Sequence, residues 1–471
     1  MSHERVTELD ATFLGYSQLS IGAIVLDPPP GRQAPDFAAL SEAVGKHLRR
    51  SPSFRQCLHA VPLHVDRPVW VDDQGFDLQD HITEVPVPPG HEVTLDELAG
   101  LAAEASVERL DRQRAPWGLE LVEPMEDGRL GLVATVDHVR ADGIAALLFF
   151  TLLLADLPDD EAEPEPDQWE PQPVDDLRLL LEAFGQRFQA YEGDAAALER
   201  RLRSRSGITE VARSALEEAR GVPAVARYVR RGRAECAEPA PFNRTHAGTE
   251  VAMAFRDREL APVEAAAHAA VPRATVNDAI LAGVAAGLAD WLVDAGEPVR
   301  DLRTLMPVDV VKTRHDAPGP SNRASRSFVT LPVTEPDPVE RLRLVRERTE
   351  RVKHDDDARA SLLLSRWVGR TPGRVSKQLR GLVDRECEAF NLVVSNFKGP
   401  DQPITILGCP VRLLYPLSTL AGHNGINVTV TSMLGRLCYS VLVNGQVIED
   451  PGVVVAGIER TLDELERRRS P

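Results

Sequence analysis

A histidine, an aspartate and a glycine in one short segment are the residues best placed to do chemistry. His138 ends an apolar run that begins at residue 131, and Asp142 and Gly143 follow four and five residues later. An imidazole can take up a proton near neutral pH and so act as a general base. An Asp-Gly pair suits a turn, because Asp bonds nearby backbone and Gly tolerates φ > 0. Such a histidine can also be purely structural, so the pattern alone leaves both interpretations open.

Apolar runs on both sides of His138 predict the elements that position it. Residues 130–138 are typical of a buried strand, paired with 119–123 through a turn at 126–128. Residues 144–155 predict a buried helix, and 36–50 and 95–110 have the apolar spacing of amphipathic helices. We therefore expect His138 where a strand turns into a helix and side chains reach a cleft.

The second half of the chain also alternates between strands and helices. Strands are predicted at 250–255, 327–333 and 392–395, and a hairpin is predicted at 427–431 and 437–443. A long helix is predicted over 275–293, with Thr275 as its N-cap and Asp278 in its first turn, where an acid favours the helix dipole. An amphipathic helix is predicted at 450–468.

Length and composition indicate two domains joined by a polar segment. The chain has 471 residues, more than a single hydrophobic core usually supports. A segment rich in acid and proline begins at residue 158, and such a composition predicts an exposed linker. We predict a first domain at 1–157, a linker with connecting helices at 158–241, and a second domain at 242–471.

Charge and cysteine content exclude several classes of protein. A net charge of −18 argues against broad nucleic-acid binding and against purely electrostatic docking on anionic membranes. The five cysteines have no metal-like spacing, so we expect no metal site and a reducing, cytoplasmic setting. The N-terminus has no apolar signal core, and the longest apolar run is shorter than the roughly 20 residues that span a bilayer. Any contact with the inner membrane or with lipid droplets should therefore be peripheral.

Several segments resemble one enzyme family. The segment from His138 to Gly143 resembles the HxxxDG motif of the acyl-CoA-dependent acyltransferase superfamily, which includes chloramphenicol acetyltransferase. Other blocks are similar to those of the bacterial wax ester synthase/diacylglycerol acyltransferase family and occur in that family's order. These blocks are residues 8–14, 114–117, 275–281, 302–308, 321–323, 395–400 and 425–430. The resemblance spans nearly the whole chain.

The resemblance implies an α/β (α+β) fold of two chloramphenicol-acetyltransferase-like domains. Each would be a mixed sheet with flanking helices, with a tunnel at the domain interface. Acyl-CoA would be the co-substrate, without any further cofactor, and a lipid alcohol such as diacylglycerol would be the acceptor. His138 would act as general base for direct transfer from thioester to alcohol, giving triacylglycerol or wax esters. The sequence has no Gly-x-Ser-x-Gly nucleophile elbow, which agrees with a mechanism lacking an acyl-enzyme.

The resemblance also implies supporting residues. Asp142 would fix the motif loop by pairing with an arginine, and Gly143 would let the backbone turn. Candidates for binding substrate or stabilising the oxyanion are Asn277, Asp278, Ser395 and Asn396. Asn277 could equally bond a helix end, and Asp278 could simply complement the helix dipole.

Asp137 departs from the family pattern, which has a second histidine at that position. A carboxylate facing the site would stabilise the protonated imidazole of His138. Side chains alternate along a strand, however, and we expect Asp137 to face away. The departure leaves open a different acceptor or a carrier-bound acyl donor. A non-catalytic lipid-binding relative is a third possibility, although the intact HxxxDG residues favour an enzyme.

Overall fold

The computed structural model describes most of both predicted domains. It covers 3–157 except 8, 16–17, 30 and 32–33, and then 169–184, 237–244, 250–309, 324–354 and 390–469 except 421, with a few residues in 223–230 and 360–364. Most of the predicted linker and connecting helices, and the block at 321–323, lie outside the described residues. The predicted α/β class, with two mixed sheets and flanking helices, is confirmed.

The two strands and three helices predicted in the first half of the chain are present, with boundaries shifted by a few residues, and five further strands accompany them. Its strands are β1 (Glu4–Arg5), β2 (Leu19–Leu26), β3 (Gln56–His59), β4 (Val69–Asp72), β5 (Ile82–Glu84), β6 (Trp117–Met125) and β7 (Arg129–Asp137). Its helices are α1 (Phe37–His47), α2 (Leu95–Val107) and α3 (Gly143–Leu154). β1, β3 and β4 form a small separate antiparallel sheet.

The second half contains a longer series of strands. They are β8 (Val251–Glu259), β9 (Leu302–Asp309), β10 (Ala324–Leu331), β11 (Leu392–Lys398), β12 (Thr405–Ile406), β13 (Cys409–Ser418), β14 (Ile426–Met433) and β15 (Arg436–Asn444). The helices are α4 (Leu260–Ala270), α5 (Val276–Asp294), α6 (Pro338–His354) and α7 (Gly452–Arg469). β14 and β15 form the predicted hairpin.

The two large sheets do not follow the predicted division of the chain. The second sheet has the order β10-β9-β11-β14-β15-β8, all from the second half. The first sheet has the order β12-β13-β2-β7-β6-β5, so it includes two strands from the second half. β13 pairs antiparallel with β2, with Leu414 opposite Ile24 and Ser418 opposite Ser20. The backbone of β2 is thus hydrogen-bonded to a strand distant in sequence. This pairing joins the first half of the chain to the second.

Helices pack on the sheets and contribute side chains to three apolar core clusters. α1 and α3 bury their apolar side chains on one face of the first sheet. α2 contributes to a core that contains residues of both sheets. α4, α5 and α7 contribute to the core of the second sheet. Of the described helices, α5 alone is long and apolar enough to cross a membrane, but 67% of its most apolar stretch is buried within the fold.

Candidate active site

The loop after β7 is held by hydrogen bonds to β2 and to Gln18, the residue that precedes β2. The backbone N–H of His138 donates to the carbonyl of Gln18 at 2.9 Å. The hydroxyl of Ser20, on β2, donates to the carbonyl of Ala141 at 2.8 Å and is buried. Both ends of the motif loop are therefore fixed to the same neighbouring segment, which defines where the His138 side chain leaves the backbone.

Asp142 begins α3 as its N-cap. Its carboxylate accepts the N–H of Ala145 at 3.2 Å, satisfying one of the donors that a helix start leaves open. The carboxylate therefore orients the helix that follows the motif. The arginine pairing implied by the family resemblance stays a prediction.

Gly143 has a different role from the one expected. It is the first residue of α3 and is not among the glycines with positive φ, so the turn does not need a left-handed backbone here. A Cβ at this position would lie 3.4 Å from the ring of Phe397 on β11. The absence of a side chain instead leaves open space between α3 and the second sheet.

The His138 ring lies between an aromatic side chain and a cavity. Its imidazole stacks on the ring of Phe13, with the ring centroids 4.2 Å apart and the planes 23° from parallel. The side chain is partly exposed and lines the cavity, whereas its Nδ1 atom is buried. The imidazole is therefore not sealed within the core but open to a ligand.

The cavity lies between the two large sheets. Its volume is about 300 Å³, and its walls come from α3, β2 and β13 on one side and from β9, β11 and β14 on the other. This size falls within the range of small-molecule sites, roughly 300–1,000 Å³. A cavity at this position, with the motif histidine on its wall, agrees with the interface tunnel that the family resemblance implied.

One wall of the cavity is apolar and follows α3. The α3 and adjoining residues on this wall are Gly143, Ile144, Ala146, Leu147, Phe150, Thr151, Leu154 and Ala155. Further apolar residues complete the cavity, including Ile404, Ile406, Val411, Leu414 and Met433. Such a surface suits a hydrocarbon chain, because burial of each methylene contributes about 0.8 kcal/mol.

The second sheet contributes four polar residues to the cavity wall opposite α3. Ser395 and Asn396 on β11 line it, as do Asn427 and Thr429 on β14. The amide of Asn427 donates to the carbonyl of Ser418 at 2.8 Å, and its oxygen accepts the hydroxyl of Thr429 at 2.9 Å. Asn427 and Thr429 were not among the predicted site residues, although both lie in a block that resembles the family.

Asn277 lies behind the cavity wall and not on it. Its side-chain oxygen accepts a hydrogen bond from the amide of Asn396 at 3.4 Å, and its own amide points to the sulfur of Met306 at 3.5 Å. Asn396 lines the cavity, whereas Asn277 is absent from its lining. Asn277 can therefore orient Asn396, but direct substrate contact is not supported.

Asp278 is a structural residue, which corrects its inclusion as a substrate-binding candidate. Its carboxylate accepts the backbone N–H of Thr275 and the hydroxyl of Thr349, at 2.8 and 2.7 Å. The residue is 1% exposed and does not line the cavity. Sequence spacing predicted the cap at the start of α5 correctly, and the carboxylate is fully engaged there and with α6.

Asp137 faces away from the cavity, as strand alternation predicted. It is 2% exposed, and its carboxylate forms an ion pair with Arg112, with Nε 2.8 Å from Oδ2. Its Oδ1 also accepts the N–H of Val139 at 2.8 Å. The carboxylate that replaces the family's first histidine is therefore neutralised by an arginine.

The described cysteines do not form a second reactive centre. Cys57, Cys409 and Cys438 are buried, and none lines the cavity. Burial raises the pKa of the Cys57 and Cys438 thiols to about 11, which disfavours the nucleophilic thiolate. Across the described ranges, no group of three or more His, Cys, Asp or Glu side chains is arranged to hold a metal ion.

Comparisons with known proteins agree with this geometry. The family model for the wax ester synthase/diacylglycerol acyltransferase catalytic domain matches residues 7–280, and the model for the family's C-terminal domain matches residues 321–466. A probable diacylglycerol O-acyltransferase of Mycobacterium tuberculosis is 29% identical, over 99% of this chain and 96% of its own.

Solved structures show the same fold. The wax ester synthase/diacylglycerol acyltransferase from Marinobacter aquaeolei VT8 aligns with a TM-score of 0.65 at 20% identity, over 99% of this chain and 100% of its own. The starter condensation domain of rhizomide synthetase aligns with a TM-score of 0.57 at 12% identity, over 100% and 94% of the two chains. Because the two family models together cover most of the chain, it belongs to the wax ester synthase/diacylglycerol acyltransferase family, and it is an acyl-CoA-dependent acyltransferase.

Proposed function

We propose that this protein transfers a long acyl chain from acyl-CoA to a lipid alcohol, with His138 as the general base. The single observation that carries this proposal is the position of His138 on the wall of a largely apolar cavity between the two large sheets. The relatives named as diacylglycerol O-acyltransferases support diacylglycerol as the acceptor. The name of the Marinobacter enzyme supports long-chain alcohols as further acceptors.

The chemistry follows from the weakness of an alcohol as a nucleophile. His138 accepts the hydroxyl proton while the alcohol oxygen attacks the thioester carbonyl. The new carbon–oxygen bond forms, the carbon–sulfur bond breaks, and the proton passes to the CoA thiolate. Because Nδ1 of His138 is buried, we assign both proton transfers to Nε2. No acyl-enzyme is required.

The polar side of the cavity would stabilise the oxyanion that forms during attack. Ser395 and Asn396 line the cavity on β11, across from α3. A hydroxyl or amide donor directed at the developing charge typically contributes about 10²–10³-fold to the rate. Asn277 would contribute indirectly, because it accepts a hydrogen bond from Asn396 and so restricts the amide.

The apolar wall would bind the acyl chain. It runs along α3 from Gly143, beside the motif, to Ala155 beyond the helix end. The donor thioester would then lie near His138 while its hydrocarbon tail follows the helix. We further propose that the protein is cytoplasmic and that its contact with membranes or lipid droplets is peripheral. Such a contact would bring the active site close to the lipid acceptor and the ester product.

A direct product analysis tests the proposal. Purified protein is incubated with radiolabelled palmitoyl-CoA and a mixture of diacylglycerol and long-chain alcohols, and the labelled lipids are separated. We expect labelled triacylglycerol or wax ester together with stoichiometric release of CoA. Binding of palmitoyl-CoA without ester from any acceptor would contradict the proposal and favour a non-catalytic lipid-binding protein. Ester formation from a carrier-bound donor only would reassign the donor.

A further inference from the structure

We propose that Asp137 and Arg112 are positioning residues that hold Phe13 against the catalytic imidazole. This inference rests on the proposed function of His138. Asp137 neighbours the base in sequence but faces away from the cavity, so it does not act on substrate itself. Its effect passes through Arg112 to the segment that carries Phe13.

Arg112 joins the motif to the N-terminal segment. Its guanidinium makes two hydrogen bonds to the Asp137 carboxylate, with Nε–Oδ2 at 2.8 Å and Nη2–Oδ1 at 3.2 Å. The same guanidinium donates to the carbonyl of Leu14 at 2.9 Å and to that of Phe13 at 3.3 Å. A guanidinium offers five donors in a fixed plane, so one side chain can satisfy both partners at once.

The N-terminal segment meets His138 through Phe13. Phe13 ends a short 3-10 helix, Asp10–Phe13, and its carbonyl and that of the next residue are the ones bound by Arg112. The Phe13 ring stacks on the imidazole, with the ring centroids 4.2 Å apart. Phe13 also lines the cavity. Asp137, Arg112 and Phe13 therefore form a closed chain of contacts that returns to His138, which we call the imidazole clamp.

The clamp restricts the rotation of the base. The backbone of His138 is already fixed by its bond to Gln18, but the ring could still turn about its side-chain torsions. A stacked ring on one side excludes the space that the imidazole would need to turn toward Phe13, and it favours the orientation in which the two rings are 23° from parallel. Correct orientation of the base matters because proton transfer requires a near-ideal donor–acceptor geometry, and a misplacement of about 1 Å can cost on the order of 100-fold in rate.

The alternative is that the ion pair only stabilises the fold. The molecule offers a matched control for this in Asp73, which is also 2% exposed and bound by an arginine, Arg114, at 3.1 Å. Arg114 lies two residues after Arg112, and Asp73 accepts the backbone N–H of Ala115 just as Asp137 accepts that of Val139. Neither Asp73 nor Arg114 lines the cavity.

The test measures kcat and KM for wild type and for Asp137→Asn, Phe13→Leu, their double variant and Asp73→Asn, with thermal unfolding of each. We expect Asp137→Asn and Phe13→Leu each to lower kcat about 10-fold, because the base is misoriented. Asp137→Asn should keep KM for palmitoyl-CoA within about twofold, because Asp137 does not line the cavity. The double variant should lose about 10-fold, not 100-fold, since both changes break one chain of contacts. Asp73→Asn should lower stability without lowering kcat.

Other results would overturn the clamp. These are an unchanged kcat in Asp137→Asn, a multiplicative loss in the double variant, or an equal loss of kcat in Asp73→Asn. A readout independent of activity is the NMR signal of the His138 ring protons, assigned by comparison with His138→Ala. Stacking should shift these signals upfield in wild type, and Asp137→Asn should reduce that shift. An inactive wild type with this signature would sink the proposed function alone, whereas an active wild type without it would sink the clamp alone.

Discussion

Thr151 offers a direct way to shorten the proposed acyl channel. It lies on the cavity wall two turns into α3, on the same face as Gly143 and Ala155. A rise of 1.5 Å per residue places Thr151 about 12 Å and Ala155 about 18 Å from Gly143. A tryptophan at 151 would fill the cavity at that point, so the substitution Thr151→Trp should leave only the part of the channel near His138.

The expected effect can be worked from these lengths. An extended chain advances by about 1.3 Å per methylene, given carbon–carbon bonds near 1.5 Å and angles near 111°. An octanoyl tail of about 9 Å therefore ends before Thr151, whereas a palmitoyl tail of about 19 Å reaches Ala155. Thr151→Trp would exclude about five methylenes of palmitoyl, which at about 0.8 kcal/mol each amounts to about 4 kcal/mol, or roughly 1,000-fold in kcat/KM.

The assay compares kcat/KM for octanoyl-CoA and palmitoyl-CoA below their micellar concentrations. We expect Thr151→Trp to reduce kcat/KM for palmitoyl-CoA by roughly three orders of magnitude and to change kcat/KM for octanoyl-CoA by less than about threefold. Leu148→Trp is the matched control, because Leu148 lies on the same helix but is 49% exposed and absent from the cavity. Equal losses for both donors, or none for either, would refute an acyl channel along α3.

Two further predictions concern stability. Burial, with repulsion from Glu108 and Glu104, raises the pKa of Glu120 from an ordinary 4.5 to about 7. The folded state therefore binds this proton more tightly than the unfolded state, and its stability falls as the pH rises from about 4.5 to about 7. Glu120→Gln should therefore raise the free energy of unfolding, measured in urea, by about 1 kcal/mol at pH 8 and leave it unchanged at pH 5; the figure allows for the partial solvent exposure of the side chain. An equal gain at both pH values would refute this origin. Gly457→Ala should cost about 3 kcal/mol in the same assay, because a Cβ there would lie 2.1 Å from the backbone nitrogen of Gly287 on α5. Gly100→Ala on α2, with nothing within 4 Å of the added carbon, is its control and should lose no stability.

Local patterns sufficed to predict the elements that carry the site. The apolar run before His138 and the apolar helix after Asp142 gave β7 and α3, since burial and backbone preference agree over both segments. Likewise, Thr275 and Asp278 stand at the spacing of a helix cap, and both are used in that way. These features depend on residues close in sequence, which is why they could be predicted without the fold.

Contacts between distant segments could not be predicted in this way. The pairing of β13 with β2 joins residues almost 400 positions apart, and nothing in either strand alone specifies the partner. The same holds for the stacking of Phe13 on His138 and for the bond between Asn396 and Asn277. Gly143 illustrates a subtler limit, because its type suggested a left-handed turn whereas it provides space against Phe397.

The most direct test of the central claim is the rate of ester formation by His138→Ala. The claim is that this imidazole, on the wall of the cavity, removes the proton of the acceptor alcohol. We predict a loss of about 10²–10⁴-fold in kcat with palmitoyl-CoA and the preferred acceptor, together with an unchanged melting temperature within about 2 °C. Wild-type kcat in a folded His138→Ala protein would contradict the assignment of His138 as the base.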